Sequence, residues 1–163
     1  MARIDWLVPP PALKLAQRPP QRFHRTIFIS DVHLGTRGCK AEFLADFLAR
    51  NACETLYLVG DIVDGWQLRR RWFWPEAHNH VLHEILRKVD EGTRVIFVPG
   101  NHDEFLRPFC GRAYPGIELT REAIHHTAAG RRLPVPHADP FHGAITFGQS
   151  PAPPAHVPHA KAP

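Results

Sequence analysis

The chain has few cysteines and no long apolar run, and each shortage excludes a class of protein. Its three cysteines, Cys39, Cys53 and Cys110, are widely spaced and form no C-x-x-C pair. This spacing argues against a disulfide framework and a structural zinc site, and it favours a cytoplasmic protein with reduced thiols. No apolar run approaches the roughly 20 residues that a membrane-spanning helix needs. The N-terminal stretch lacks the continuous apolar core and the cleavage signature of a signal peptide.

Proline is abundant but scarce in the middle of the chain. Of the 17 prolines, five precede Arg22, eight lie from Pro134 onward, and only four lie between. Proline removes a backbone donor and resists helix and sheet. We therefore expect a disordered Pro-rich leader over residues 1–22, one folded domain over residues 23–148, and a disordered Pro-rich tail over residues 149–163.

The net charge of +4 favours anionic partners. Phosphate esters, nucleic acid and an acidic membrane surface all satisfy this preference, and charge alone does not choose among them. No recognisable nucleic-acid-binding motif is present, so a nucleic-acid-binding module is the most distant of the three alternatives.

Three short apolar runs each end abruptly in a polar turn. The runs are residues 26–29, 55–59 and 94–99, and the turns that follow them read SDVH, GDIVD and GNHD. Apolar runs rich in β-branched and aromatic residues, bounded by polar ones, are typical of buried strands. One such turn is a weak signal of function, but three in succession are a strong one.

Two amphipathic segments, residues 39–50 and 76–89, lie between these strands and carry apolar residues at helical spacing. Strands alternating with helices predict an α/β fold with a parallel sheet, in which sites form beyond the carboxyl ends of the strands. Residues 65–74 are predicted as a loop or the start of a helix. Further strands are expected at 117–119, 122–126 and 133–137, with a hairpin turn at Ala129 and Gly130.

The three turns contain the ligands of a metal site. Asp31 and His33 are two residues apart at a strand end, so their side chains point the same way, and divalent transition metals accept this pair of ligands. The two oxygens of Asp61 can bridge two cations about 3.5–4 Å apart, with the amide oxygen of Asn101 serving the second. Such a pair of cations activates water for attack on phosphorus.

The third turn also contains candidates for proton transfer. His102 is placed to donate a proton or a hydrogen bond to an oxygen of the phosphate ester. Asp103 is expected to hold the tautomer of His102. Asp64 is expected to support these groups or to stabilise its turn.

The order D-x-H, G-D-x-x-D, G-N-H-D is the signature of the calcineurin-like metallophosphoesterases, and residues 25–148 resemble that superfamily. The longer words SDVHLG, LVGDIVDGW and PGNHDEF are similar to the branch that includes the UDP-2,3-diacylglucosamine pyrophosphatases of lipid A synthesis. The resemblance implies a layered α/β/β/α sandwich and two divalent metal ions, usually Mn²⁺. It also implies hydrolysis to an acylated sugar phosphate and UMP at the inner face of the inner membrane.

The chain departs from the family pattern in two places. Many members of the pyrophosphatase group have Arg where this chain has His102. Family members also use a His after the next strand, whose place His137 occupies, and a late G-H-x-H turn that this chain lacks. His156 and His159 have the wrong spacing to replace that turn. We therefore expect an incomplete member, truncated or altered by a frame change soon after Gly148, which sequencing of the coding region tests.

A basic and aromatic cluster follows the second turn: Arg69, Arg70 and Arg71 precede Trp72, Phe73 and Trp74. One interpretation is that the arginines bind the substrate diphosphate and seat the protein on an acidic lipid surface. The other is a solvated turn with its aromatic residues in the core. The sequence leaves both open.

The residues together favour a metal-dependent phosphoester or pyrophosphate hydrolase, and the resemblance implies a nucleotide-linked acylated sugar as its substrate. Two alternatives stay open. One is a phosphatase or phosphodiesterase for another substrate such as a nucleotide, which hydrolysis independent of acyl chains would favour. The other is a non-catalytic family remnant, which a folded chain without metal-dependent turnover would indicate.

Overall fold

The computed structural model describes residue 19 and residues 21–137 of the chain. The elements in chain order are β1 (Arg22–Ser30), α1 (Ala41–Arg50), β2 (Asn51–Val59), α2 (Gly65–Arg70), α3 (Glu76–Asp90), β3 (Arg94–Val98), a 3₁₀ helix (Glu104–Phe109), β4 (Ala113–Tyr114), β5 (Ile117–Leu119), β6 (Ala123–His126) and β7 (Arg132–Val135). Most of the predicted leader, the stretch 138–148, the tail with His156 and His159, and any strand there lie outside the described residues.

A five-stranded sheet organises the fold, with the strand order β1-β2-β3-β5-β4. The first four of these strands run parallel, and β4 pairs antiparallel with β5. Helix α1 connects β1 to β2, and α3 precedes β3, as crossover connections between parallel strands require. The predicted α/β class with a parallel sheet is confirmed.

The helix-facing side of this sheet forms the larger hydrophobic core. Alternate residues of a strand point to the same side, so Leu56, Leu58 and Val95 join one cluster and are 0%, 3% and 0% exposed. The apolar stripes of α1 and α3 supply Leu48 and Val81 to the same cluster, both 0% exposed. Burying one such side chain stabilises the fold by about 1.5–3 kcal/mol.

The opposite side of the sheet is covered by the hairpin of β6 and β7. Tyr57, Ile96 and Val98 point to this side and form a second, smaller cluster with Val135 of β7. Helices, main sheet and hairpin therefore lie in the order α, β, β, as the layered sandwich of the resemblance requires.

The predicted hairpin turn is confirmed, because the amide of Gly130 donates to the carbonyl of Thr127 and the amide of Thr127 donates to the carbonyl of Arg131. Strand β7 tolerates Pro134 opposite Ile124, since a two-stranded sheet leaves both strands with a free edge.

Several boundaries differ from the prediction. Strands β1 and β2 each begin four residues earlier than expected, at Arg22 and Asn51, because these polar ends pair with each other across the sheet. Strand β7 ends at Val135, so His137 follows the strand. The 3₁₀ helix and β4 were not predicted, since both are short and Pro108 interrupts the helical pattern.

All three cysteines are free, with Cys53 buried and the other two half-buried. None of the helices within residues 21–137 combines the length and apolar character needed to cross a bilayer.

Candidate metal centre

The turns after β1, β2 and β3 meet at the carboxyl edge of the sheet, where backbone hydrogen bonds tie them together. The amide of Gly60 donates to the carbonyl of Val98 over 2.7 Å. The amides of Asp31 and His33 donate to the carbonyls of Gly60 and Asp61 over 3.2 and 2.9 Å. The parallel register of the three strands thus brings together the three turns that the sequence predicted.

The backbone is strained in the first two of these turns. Asp31, His33 and Asp61 have φ values of 54°, 53° and 55°, and they are the non-glycine residues with positive φ in the described part of the chain. Each such conformation costs about 1–3 kcal/mol and persists where the surrounding structure imposes it, which is typical of functional sites. The strain thus coincides with three of the predicted ligands.

Two of the predicted ligands, His33 and Asp61, belong to one cluster of side chains able to hold a metal ion. Each offers a ligand atom to a group completed by His102, in which all the ligand atoms lie within 4.8 Å of one another. Asp61 is 6% exposed, and its Oδ1 accepts a hydrogen bond from the amide of His102 over 3.0 Å. Asp31 lies at the exposed rim of the same edge.

The other two predicted ligands, Asn101 and His137, contact each other, and His137 lies beside the second oxygen of Asp61. The Nε2 atom of His137 is 3.6 Å from Oδ2 of Asp61 and 3.4 Å from Oδ1 of Asn101. Asp61 therefore has one oxygen toward His102 and the other toward His137, an arrangement suited to a bridging carboxylate.

Glycine is required at two positions because the site is tightly packed. A Cβ atom at Gly60 would overlap the ring of His137, and one at Gly100 would overlap Oδ1 of Asp61. These glycines permit the close approach of side chains from different turns.

Asp64 connects two histidines of the site. Its Oδ2 atom lies 3.3 Å from Nδ1 of His33 and 2.9 Å from Nδ1 of His102, the latter as an ion-pair contact rather than a linear hydrogen bond. Its Oδ1 accepts a hydrogen bond from the amide of Gln67 and caps α2. Desolvation alone would raise the pKa of Asp64, but the hydrogen bond from Gln67 and the adjacent His102 and His33 outweigh it, so the pKa is lowered.

Asp103 has a different place from the one that the sequence suggested. It is 0% exposed, and its carboxylate accepts hydrogen bonds from the amides of Ile62 and Gly100 over 2.8 and 2.5 Å. The carboxylate at Nδ1 of His102 is that of Asp64, so the expected role of Asp103 in holding the tautomer needs correction. Desolvation raises the pKa of Asp103, although its backbone hydrogen bonds oppose the shift. Asp103 joins the second turn to the third.

Sequence reasoning missed Trp66 as a residue of this site. Its ring centroid lies 4.3 Å from that of His102, with the planes tilted by 35°. The indole N–H donates to Oε1 of Glu104 over 3.3 Å. The one signal in the sequence was the final Trp of the word LVGDIVDGW, which carried no stated role.

The basic and aromatic cluster divides into an outward and an inward part. Arg69, Arg70 and Arg71 are exposed at the end of α2, and Trp72 is 74% exposed. The rings of Phe73 and Trp74 pack edge-on against the buried His78. The packing of Phe73 and Trp74 agrees with the second interpretation, and the binding role of the three arginines stays a prediction.

Curated proteins named UDP-2,3-diacylglucosamine hydrolase are similar to this chain. The one from Porphyromonas gingivalis is 28% identical over 119 residues, which is 69% of this chain and 45% of the relative. The one from Vibrio parahaemolyticus is 33% identical over 119 residues, 70% of this chain and 47% of the relative. The one from Neisseria gonorrhoeae is 35% identical over 91 residues, 53% of this chain and 37% of the relative. The chain spans less than half the length of these relatives.

A family model described as Calcineurin-like phosphoesterase matches residues 24–146, which is most of the chain. The match includes all three polar turns and the three helices, α1, α2 and α3, between them. It agrees with the parallel sheet, the strained carboxyl edge and the ligand types gathered there. The chain belongs to the calcineurin-like phosphoesterase family.

Proposed function

We propose that this chain is a metal-dependent phosphoester hydrolase with a site for two divalent cations. The observation that supports this most strongly is the convergence of three turns at one edge, where ligand atoms of His33, Asp61 and His102 lie within 4.8 Å of one another. His137, which follows β7, approaches the same carboxylate.

The residues at this edge fit the proposed cations. Carboxylate, imidazole and amide oxygen together suit Mn²⁺ and related divalent metals, and we propose Mn²⁺. Asp31, His33 and Asp61 would hold one cation. Asp61, Asn101 and His137 would hold the other. The buried Asp61 carboxylate, whose two oxygens lie near His102 and His137, would be the ligand common to both cations.

The chemistry that the cations supply when bound is Lewis-acid activation of water and of the phosphoryl oxygens. His102 donates a proton to the departing oxygen from the nitrogen that does not face Asp64. Asp64 orients the imidazole through its contact with Nδ1. Asp103 maintains the distance between the second and third turns.

We propose a nucleotide-linked acylated sugar of the UDP-2,3-diacylglucosamine type as substrate. The names of the relatives and the three longer motif sequences support this proposal. The exposed Arg69, Arg70 and Arg71 suit a diphosphate, and the net charge of +4 suits an anionic substrate. With the exposed Trp72 they also suit peripheral contact with an anionic membrane at its cytoplasmic face.

The test is Mn²⁺-dependent hydrolysis of UDP-2,3-diacylglucosamine by the purified 163-residue chain. We expect release of UMP that is lost in Asp61→Ala and retained in Asp46→Ala, an exposed aspartate that pairs with Arg50 on α1. Turnover of bis-p-nitrophenyl phosphate but not of the acylated substrate would favour the phosphodiesterase alternative. A folded chain that binds Mn²⁺ without turning over either compound would show a non-catalytic family remnant.

A further inference from the structure

Several independent contacts hold residues 64–66 against residues 102–105. The amide of Gly65 donates to the carbonyl of His102 over 3.0 Å. A Cβ atom at Gly65 would lie 2.7 Å from the ring of Phe105, so the two segments are as close as glycine permits. Two further contacts join the segments: the ion-pair contact of Asp64 with His102 and the ring contact of Trp66 with His102.

Three groups surround the imidazole of His102. The carboxylate of Asp64 faces Nδ1, and the indole of Trp66 lies against the ring at 4.3 Å. The ring of His33 meets it edge-on, with centroids 4.6 Å apart and planes at 86°. The His102 side chain keeps 24% of its surface exposed, which leaves it one open side.

The indole is itself held in place. Trp66 lies in the first turn of α2, whose start is capped by Asp64. Its N–H donates to Glu104, which begins the 3₁₀ helix two residues after His102. The ring therefore cannot turn away from His102 without losing a hydrogen bond.

We propose that Trp66 is a positioning residue for the phosphoester hydrolysis, which keeps the His102 ring in the orientation that presents its second nitrogen to the reacting phosphate. The inference rests on the proposed function. With the indole removed, the imidazole rotates about its Cβ–Cγ bond into the vacated space, and the contact with Asp64 no longer defines a single orientation. Glu104 acts one step further away, through the indole.

The experiment is steady-state hydrolysis of bis-p-nitrophenyl phosphate with Mn²⁺ by the full chain and by Trp66→Leu, Trp66→Phe and Glu104→Ala. We expect kcat of Trp66→Leu to fall roughly tenfold at unchanged KM, since misplacing a catalytic group is costly. Trp66→Phe keeps an aromatic ring and should retain most of kcat. Glu104→Ala should show a smaller fall, roughly twofold to threefold, because the indole stays in place but is no longer anchored.

A double-variant cycle separates positioning from other roles. In the His102→Ala background, Trp66→Leu should cause no further loss, because the group that it positions is gone. Phe47→Leu, a 42% exposed aromatic on α1, is the matched control and should leave kcat unchanged. Thermal midpoints of all variants identify any that fail to fold. If Trp66→Leu fails to fold, Glu104→Ala provides the test.

A rise in KM at constant kcat would overturn the inference by showing that the indole binds substrate. A further loss in the His102→Ala background would overturn it as well. If the unmodified chain has no turnover, the proposed function fails separately. In that case the ¹⁵N signals of the His102 ring decide this inference, because signals unchanged between the chain and Trp66→Leu would contradict it.

Discussion

The two faces of the main sheet are closed to very different extents. On the helix side, Leu56, Val81 and Val95 are each 0% exposed and belong to one continuous cluster. On the hairpin side, Val98 is 1% exposed, but Phe28 on the same face keeps 49% of its surface. The hairpin itself exposes 47% of Ile124 and 44% of Leu133. The same three strands are therefore firmly supported by helices and only partly covered by the hairpin.

This difference extends to the candidate metal centre. Asp61, His33 and Asn101 follow strands that the helix-side core holds in register. His137 follows β7, whose attachment to the sheet depends on the small cluster around Val135. Three candidate ligands therefore follow strands held by the larger core, and His137 depends on a hairpin with fewer buried residues.

The largest expected effect tests the firmly held part of the site. Asp64→Asn keeps the oxygen that caps α2 but removes the charge that faces His33 and His102. We expect Mn²⁺-dependent turnover of bis-p-nitrophenyl phosphate to fall by roughly 10–100-fold, the usual cost of losing a group that orients ligands. Asp46→Asn on α1 is the control. Turnover within twofold of the unmodified chain would contradict the role of Asp64.

Two substitutions, one on each face of β3, test the comparison of the two cores directly. Val95→Ala opens a cavity under α1 and α3, and we expect a loss of about 2–3 kcal/mol in the free energy of unfolding. Val98→Ala faces the hairpin, where the looser cover can adjust, and should cost about 1 kcal/mol. Urea denaturation measures both. Equal losses would show that the two faces are equally well packed.

His137→Ala tests the ligand that depends on the hairpin. We expect two bound Mn²⁺ ions to become one in calorimetric titration and turnover to fall about tenfold. His126→Ala, on the exposed side of β6, should change neither quantity. Two Mn²⁺ ions bound with unchanged affinity would remove His137 from the ligand set.

The smallest effect concerns pH and the helix-side core. His78 is 2% exposed on α3, and its Nδ1 accepts a hydrogen bond from the amide of Gly35. Burial lowers the pKa of His78, so the unfolded chain binds a proton at a higher pH than the folded one. Its stabilising contribution is complete above the ordinary imidazole pKa of about 6.5 and is lost as the pH falls below it.

We therefore expect the unfolding free energy to decrease between about pH 7 and about pH 5, and this decrease to be smaller in His78→Gln. His80→Gln is the control, because His80 lies on the same helix with its side chain 58% exposed. Urea denaturation at both pH values provides the measurement. An identical decrease in the unmodified chain and in His78→Gln would show that His78 does not contribute.

The sequence alone predicted the fold class and the location of the site for a simple physical reason. Apolar runs that end in polar turns specify buried strands, and crossover helices make neighbouring strands parallel, so their carboxyl ends meet at one edge. The sequence therefore predicted that four side chains lie near one another: Asp31, His33, Asp61 and Asn101. The hairpin turn at Gly130 followed from equally local chemistry.

The partners of individual side chains were decided only by the tertiary structure. Asp103 is next to His102 in sequence, yet its carboxylate binds backbone amides of the second turn. Asp64 is 38 residues from His102 and still contacts its ring, as does Trp66 from the start of α2. Periodicity tells which side of an element a residue occupies, but the meeting of two turns depends on strand register and helix packing, which are properties of the whole fold.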